Sequence, residues 1–327
     1  MSEQKPKIIE RNINQYIFRL INLENNDLLV LLETNIKCLK APNYILQDSL
    51  NITFNNTKID SICLWKNNHI IIKTPQAFYV IELYQNNTNF RILSQFNLYE
   101  NISLRLQKMI PLNNCSNLLL NTFNKIIILE ERQPNLFQCQ KIFFYKIGFN
   151  SLIQIKKNEI ICNSSDTKKV YFVNIHKGKI ITEINNIQIY IADVDSFCFI
   201  NKKVIAMGGD LRDGIYFFNI NKRELIYHYK EDWRGYHCLL NIGNNKFLGE
   251  SYCGRCYGES DDELEDLYCT KYFKYNENNN TIITYKYGED RVYALKRSNF
   301  IKFNNIDKIA YTSNKNIYIE NLENKNE

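Results

Sequence analysis

Short apolar runs ending in turn-like pairs recur along this chain at a nearly constant spacing. The pairs are Asn25-Asn26, Asn67-Asn68, Asn113-Asn114, Lys157-Asn158, Asn201-Lys202, Asn244-Asn245 and Asn304-Asn305. Measured from the first residue of each pair, the steps are 42, 46, 44, 44, 43 and 60. A second set of turns runs out of phase with the first: Pro42-Asn43, Asn86-Asn87, Pro134-Asn135, Lys177-Gly178, Asn221-Lys222 and Asn278-Asn279. It keeps the same spacing, with its one long gap at the same place. Two independent markers sharing one period define a repeat of about 44 residues, and such a period restricts the fold more than any local signal does.

Each unit reads as four short strands. In the fourth unit they are SLIQIKK, EIICNSS, KVYFVNI and KIITEIN; in the fifth, SFCFINK, VIAMGGD, GIYFFNI and ELIYHYK. Runs of four to seven residues rich in Ile, Val, Phe and Tyr, broken by Asn, Asp and Gly, are strand signals. Composition agrees, with 22 Tyr and 19 Phe against only 11 Gly and 5 Pro. The chain also holds 47 Asn, a residue that tolerates left-handed backbone and caps its own turns. Four-stranded units at this period predict an all-β, seven-bladed β-propeller. The seventh unit supplies three strands (RVYALKR, DKIAYTS and NIYIENL), and the N-terminal PKIIERN resembles the fourth strands elsewhere. Pairing first strand with last would close the ring and cover two bare edges. The whole chain, 1–327, reads as one such domain.

Residues 152–184, LIQIKKNEIICNSSDTKKVYFVNIHKGKIITEI, resemble a WD-repeat through its small-x-Ser-x-Asp-x-x-Ile-x-x-Trp-Asp core, with Ser164, Ser165 and Asp166 in the turn between second and third strands. TSNKNIYIENL in the last unit matches more weakly. The Trp-Asp pair is replaced by Val173-Asn174, Phe218-Asn219, Ile81-Glu82, Leu129-Glu130 and Glu320-Asn321, and no Gly-His dipeptide is well placed. The hydrogen-bonded tetrad of such repeats therefore has no residues to form it in most blades, leaving apolar packing to stabilise them. The resemblance implies protein partners and a scaffold or adaptor role within a larger assembly.

The 60-residue step has a local cause. CGRCYGESDDELEDLYC, residues 253–269, brings three cysteines and six acids into a chain that has nothing similar elsewhere. Aligning NKFLGESYC with NEIICNSSD places Cys253 where Asp166 stands, so the extra residues form an acidic loop at about 254–267 in the sixth blade, between its second and third strands. On the same face the fifth blade carries GGDLRDG (208–214), followed by the inter-blade KEDWRGY (230–236). Residues 208–270 hold twelve acids against seven Lys and Arg, a net charge of −5; the total is +6, so the remainder carries +11. The candidate partner-binding residues are Asp210, Asp213, Asp232, Arg234, Glu259, Asp261, Asp262, Glu263, Glu265 and Asp266, expected to meet a basic protein surface. Two other readings of the segment stand beside this one. It is a solvated loop, or it is a zinc site in which Cys253 and Cys256 share the two-residue spacing of a thiolate pair, with Cys269, His237 and Cys238 as further ligands.

The remaining signals narrow the chemistry. The four histidines are His69 and His176 at turns, His228 in an outer strand and His237 beside an inner one; none forms a nucleophile–base spacing, and no Gly-rich phosphate loop appears. A propeller hydrolase or lyase with a site at the central channel is the alternative class, and no cofactor is expected. Phosphoinositide-binding propellers carry Phe-Arg-Arg-Gly where this chain has Trp233-Arg234-Gly235 behind Glu231-Asp232, one arginine short and next to acids. Nucleic acid is likewise not expected at this net charge. The opening MSEQKPKIIERN lacks the apolar centre of a signal peptide, and no apolar run reaches the roughly 18 residues of a membrane span. The ten cysteines are then expected to be reduced thiols in the cytoplasm or nucleus, with Cys63, Cys198 and Cys238 serving as small hydrophobes inside strand patterns.

Overall fold

The computed structural model describes residues 7–10, 17, 19–53, 57–66, 69–84, 89–98, 106–112, 116–122, 124–185, 187, 197–209, 214–230, 235–256, 265–286, 292–293, 301–303, 308–313 and 316–322. These residues form seven antiparallel sheets, one for each expected blade, and the fold is an all-β, seven-bladed propeller. Its contacts fall into two compact units: Met1–Leu120, Ile127–Ile142 and Lys296–Glu327, and Asn121–Ile126 with Phe143–Leu295.

In the second unit, blade four runs Ser151–Lys156, Glu159–Ser164, Lys169–Asn174 and Lys179–Ile184, within a residue of each expected strand. Blade five follows as Phe197–Phe199, Val204–Gly208, Ile215–Asn219 and Glu224–Tyr229. The burial pattern explains why these strands read as they do. Second and third strands are covered on both faces; Ile160, Ile161, Cys162, Asn163 and Ser164 in sequence are all buried. A continuous apolar run is the consequence. The fourth strand is the outer edge, and Lys179–Ile184 alternates exposed with half-buried positions.

The first unit holds blades one and two, most of blade three, and blade seven. Ile36, Ile52, Ile62, Ile72 and Ile81 pack blade one on blade two, while Ile71, Val80, Leu118, Leu120 and Ile127 pack blade two on blade three. Blade seven is completed by the N-terminal strand: Lys7–Glu10 pairs antiparallel with Asn316–Asn321, opposing Lys7 to Ile319 and Ile8 to Tyr318. Its first strand is not RVYALKR but the short Ile301–Lys302, paired with Lys308–Ser313. Val292–Tyr293, from the segment expected there, joins blade six instead. Asn304-Asn305 follows the short strand, so the turn period pointed to the right hairpin although the strand before it was misplaced.

Asparagine does the turn chemistry. Asn26, Asn135, Asn244, Asn245 and Asn280 have positive φ, between 52° and 66°. Asn174 Oδ1 accepts the N–H groups of His176 and Lys177 at 3.0 and 2.9 Å, and Asn219 Oδ1 accepts those of Asn221 and Lys222 at 2.9 and 3.0 Å. These two asparagines stand where a WD-repeat has its aspartate. The preceding Val173 and Phe218 are fully buried among apolar neighbours, so packing takes the place of the Trp-centred bonds.

Candidate functional site

Blade six departs from the other blades. Its sheet has five strands: Gly235–Gly243, Lys246–Cys256, Glu265–Asn276 and Thr281–Lys286 in order, with Val292–Tyr293 added to the third. The middle pair is 11 and 12 residues long, against 6 and 6 in blade four. The first strand accompanies the second only as far as Tyr252, and the fourth accompanies the third only to Lys271. Beyond those points the hairpin continues alone as a two-stranded ribbon, pairing Arg255 with Asp266 and Cys256 with Glu265. Val292 and Tyr293 cover one edge by pairing with Tyr268 and Leu267. The expected loop at 254–267 is thus strand over 254–256 and 265–267. Such a ribbon needs no buried face, so its acids and glycine do not prevent it from pairing.

The other acid-bearing segments leave the sheet beside the base of this ribbon. Gly209 N–H donates to Gly214 O at 2.9 Å, closing the segment that holds Asp210 and Asp213. Gly214 bridges in parallel to Gly235, which directly follows the segment holding Asp232 and Arg234, and Tyr236 N–H donates to Gly209 O at 2.6 Å. Gly235 in turn pairs with Tyr252, where the ribbon begins. With paired strands about 5 Å apart, the three segments originate within about 10 Å of backbone. Asp210, Asp213, Asp232, Arg234, Glu259, Asp261, Asp262 and Glu263 lie outside the described residues. Glu265 and Asp266 sit on the third strand, opposite Cys256 and Arg255.

Glycine makes this junction fit. A Cβ on Gly208 would stand 1.9 Å from the carbonyl oxygen of Tyr236, and one on Gly214, whose φ is +66°, would stand 1.9 Å from that of Tyr229. Both obstacles are backbone and cannot swing away. Gly208→Ala is therefore expected to destabilise the protein by about 3 kcal/mol, the upper range for forcing one methyl into a packed site. Urea unfolding checks this: the midpoint falls while the slope is kept, and an unchanged midpoint contradicts the close approach.

Among the described cysteines Cys139 is exposed on blade three, and the others divide between the core and blade six. Cys63, Cys162 and Cys198 are buried, and Cys38 with them; loss of solvation pushes the Cys38, Cys63 and Cys198 thiols up to about 12, and Cys162 well above its usual value. They behave as small hydrophobes. Cys238 lies on the first strand of blade six opposite Glu250. In the ribbon, Cys253 falls in the bulge between Tyr252 and Arg255, while Cys269 faces Ser251. Cys269 is four residue rows from the Cys256–Glu265 pair, about 13 Å along a strand. A thiolate pair on one zinc ion normally comes from a tight turn, and Cys253 and Cys256 here lie on one strand interrupted by that bulge.

The histidines are dispersed over separate blades. His69 opens the second strand of blade two with Nε2 3.9 Å from Glu82 Oε1, and His176 lies in the third-to-fourth turn of blade four. His228 stacks on Tyr216 at 4.0 Å in blade five, and His237 lies on the first strand of blade six. Among the described residues no helix is long and apolar enough to cross a membrane.

No protein-family model matches the chain, and no curated protein matches it. Among solved structures it is similar to a chain from the crystal structure of a mitotic checkpoint complex, with a TM-score of 0.65 and 11% identity over 98% of this chain and 94% of the other. That likeness concerns the fold, a seven-bladed β-propeller. With 1132 solved chains matching, the architecture alone does not choose a function.

Proposed function

We propose that the protein is a non-catalytic interaction scaffold whose blade five–six face docks a basic protein partner. The observation that carries this is the convergence of three acid-bearing segments on the Gly209–Gly214, Gly235 and Tyr252 backbone, beside a ribbon that only blade six builds among the described residues. Clustered charge of one sign on a rigid platform steers encounter and selects partners of the opposite sign. The similar chain comes from a multiprotein assembly, which is consistent with a propeller held among partners.

The test replaces Glu259, Asp261, Asp262 and Glu263 by Gln and Asn, leaving chain length and both ribbon strands intact. Tagged wild type and variant are recovered from the native cells and their co-purifying proteins compared by mass spectrometry. One basic partner is expected to fall by roughly tenfold or more in the variant, and to be released from wild type between about 0.1 and 0.5 M salt. An identical partner set in both samples sinks the docking role of the ribbon.

A further inference from the structure

The turns at one end of blades four, five and six are rich in lysine. Antiparallel strands return the first-to-second and third-to-fourth turns of a blade to the same end, and in each of these blades the two are hydrogen-bonded. Ile175 N–H donates to Asn158 O at 2.9 Å, Ile220 N–H to Lys203 O at 2.8 Å and Tyr275 N–H to Asn245 O at 2.8 Å. Neighbouring blades join there as well. Arg223 of blade five donates to both carboxylate oxygens of Glu159 in blade four, at 2.7 and 3.3 Å. Asn201 Nδ2, also in blade five, donates to Asn245 Oδ1 at 3.0 Å and Glu277 Oε1 at 2.9 Å in blade six. The six turns therefore form one continuous surface. Amide side chains fix its shape: Gln154 Nε2 donates to the carbonyls of Lys156 and Lys157, and Asn201 Oδ1 accepts the N–H groups of Lys203 and Val204.

These turns and their flanking residues, 156–159, 174–179, 200–203, 219–224, 243–246 and 276–281, hold nine Lys and Arg against three Glu, a net charge of +6. The carboxylates are already engaged: Glu159 by Arg223, Glu224 by Lys222 at 3.5 Å, and Glu277 by Asn201 and Asn245. Lys157, Lys177, Lys179, Lys202 and Lys203 are exposed and pair with no carboxylate among the described residues. The acid-bearing segments leave the same sheets at the opposite end. A strand such as Glu159–Ser164 holds the two ends about 17 Å apart, roughly two Debye lengths at physiological salt, so the acids do little to weaken the field of the lysines. Net charge over the whole chain, the ground for not expecting nucleic acid, averages the two ends and understates both.

We propose that this end of blades four to six binds the phosphate backbone of double-stranded nucleic acid. The composition of the surface chooses among polyanions. Protein interfaces gather round a buried apolar or aromatic core and are poor in Lys. Here the six segments contain no Phe, Tyr or Trp, and their isoleucines, Ile175, Ile200 and Ile220, are buried. The same composition offers no aromatic platform for the bases of a single strand and no apolar group to enter a lipid layer. Exposed lysines act as point charges that meet phosphates one at a time, which positions a duplex without reading its sequence. The surface is separate from the acid-bearing face and does not depend on its role.

Fluorescence anisotropy of a labelled DNA duplex of about 20 base pairs, titrated with the full-length chain, tests this. Wild type is expected to bind with a Kd of roughly 1–100 μM at about 0.15 M salt, and log K should fall against log salt with a slope of about −4, as for four or five neutralised phosphates. Combining Lys157→Gln, Lys177→Gln, Lys202→Gln and Lys203→Gln should weaken binding about tenfold or more and bring the slope to about −1. The same four positions changed to Arg should bind within a few-fold of wild type. Exposed substitutions of this kind leave the melting transition close to that of wild type, which separates loss of binding from loss of fold. Lys168→Gln with Lys169→Gln, in the second-to-third turn of blade four at the other end, should bind as wild type does. Absence of binding at about 0.05 M salt, an unchanged slope in the four-fold Gln variant, or equal weakening by the Lys168 and Lys169 pair overturns the site. Polyglutamate or phosphatidylserine vesicles bound as tightly as the duplex, with the same dependence on the four lysines, overturn the assignment to nucleic acid.

Discussion

Alanine at Phe217 is expected to lower the stability of the protein by about 4 kcal/mol, the usual range for emptying a buried phenylalanine site. Phe217 lies on the third strand of blade five, fully buried, where blade five meets blade six. Its ring stacks on Tyr275 at 5.7 Å and leans on Phe247 at 5.9 Å and Tyr227 at 6.0 Å. Phe247 continues the aromatic seam to Phe273 at 4.9 Å, and Phe273 meets the edges of Tyr236 and Tyr229. Rigid rings stacked in series cannot move inward to fill a void, so the cavity term stays with the transfer term. Phe217→Leu keeps most of the volume and should lose only about 1.5 kcal/mol. Urea titrations of the two variants distinguish the outcomes. A loss below about 1 kcal/mol for the alanine variant would mean that the seam closes over the gap and that these contacts are not tight.

That seam bears on the docking face. Phe273 belongs to the third strand, which continues into the ribbon, Tyr236 lies on the first strand beside the ribbon's base, and the backbone of Gly208 approaches Tyr236 closely. The aromatic seam therefore packs the part of blade six from which the long hairpin extends.

Most of this architecture was legible in the sequence because radial repetition writes the same constraint seven times. A strand covered on both faces is largely apolar, so EIICNSS and VIAMGGD announce themselves, and the recurring turns carry asparagines whose φ is positive at Asn26, Asn135 and Asn244. The ribbon was not legible as strand. Its pairing is a backbone matter, and GRC and EDL look like loop when apolar alternation is the only guide. Val292–Tyr293 was misplaced for a related reason: a two-residue strand carries no period, and RVYALKR fits blade seven or blade six equally well until its partner is known. The convergence of the 208–214 and 230–236 segments was expected from propeller geometry, and the Gly214–Gly235 bridge supplies the contact between them.

Removing residues 1–10 tests the closure itself. The strand Lys7–Glu10 pairs with Asn316–Asn321, and without it that strand becomes the bare edge of blade seven. Ile317 and Ile319, now 0% and 6% exposed, pack with Leu20, Leu28, Val30 and Phe303 in the core that joins blades seven and one. Loss of three or four ladder bonds, at about 1 kcal/mol each, and partial exposure of the two isoleucines together suggest a cost of about 5 kcal/mol. The consequence differs in kind from that of the Phe217 variant. A core cavity lowers the whole transition, whereas an unlatched blade gives local opening of the unit that contains blades seven and one. Hydrogen exchange separates the two: amides of Lys308–Ser313 and Asn316–Asn321 should lose protection in the truncated chain, while those of Glu159–Ser164 in blade four retain theirs. The exposed edge should also promote self-association, visible as concentration-dependent sedimentation. Full protection of the last two strands in the truncated protein would show that the N-terminal strand is an ornament on a ring already closed by blade seven alone.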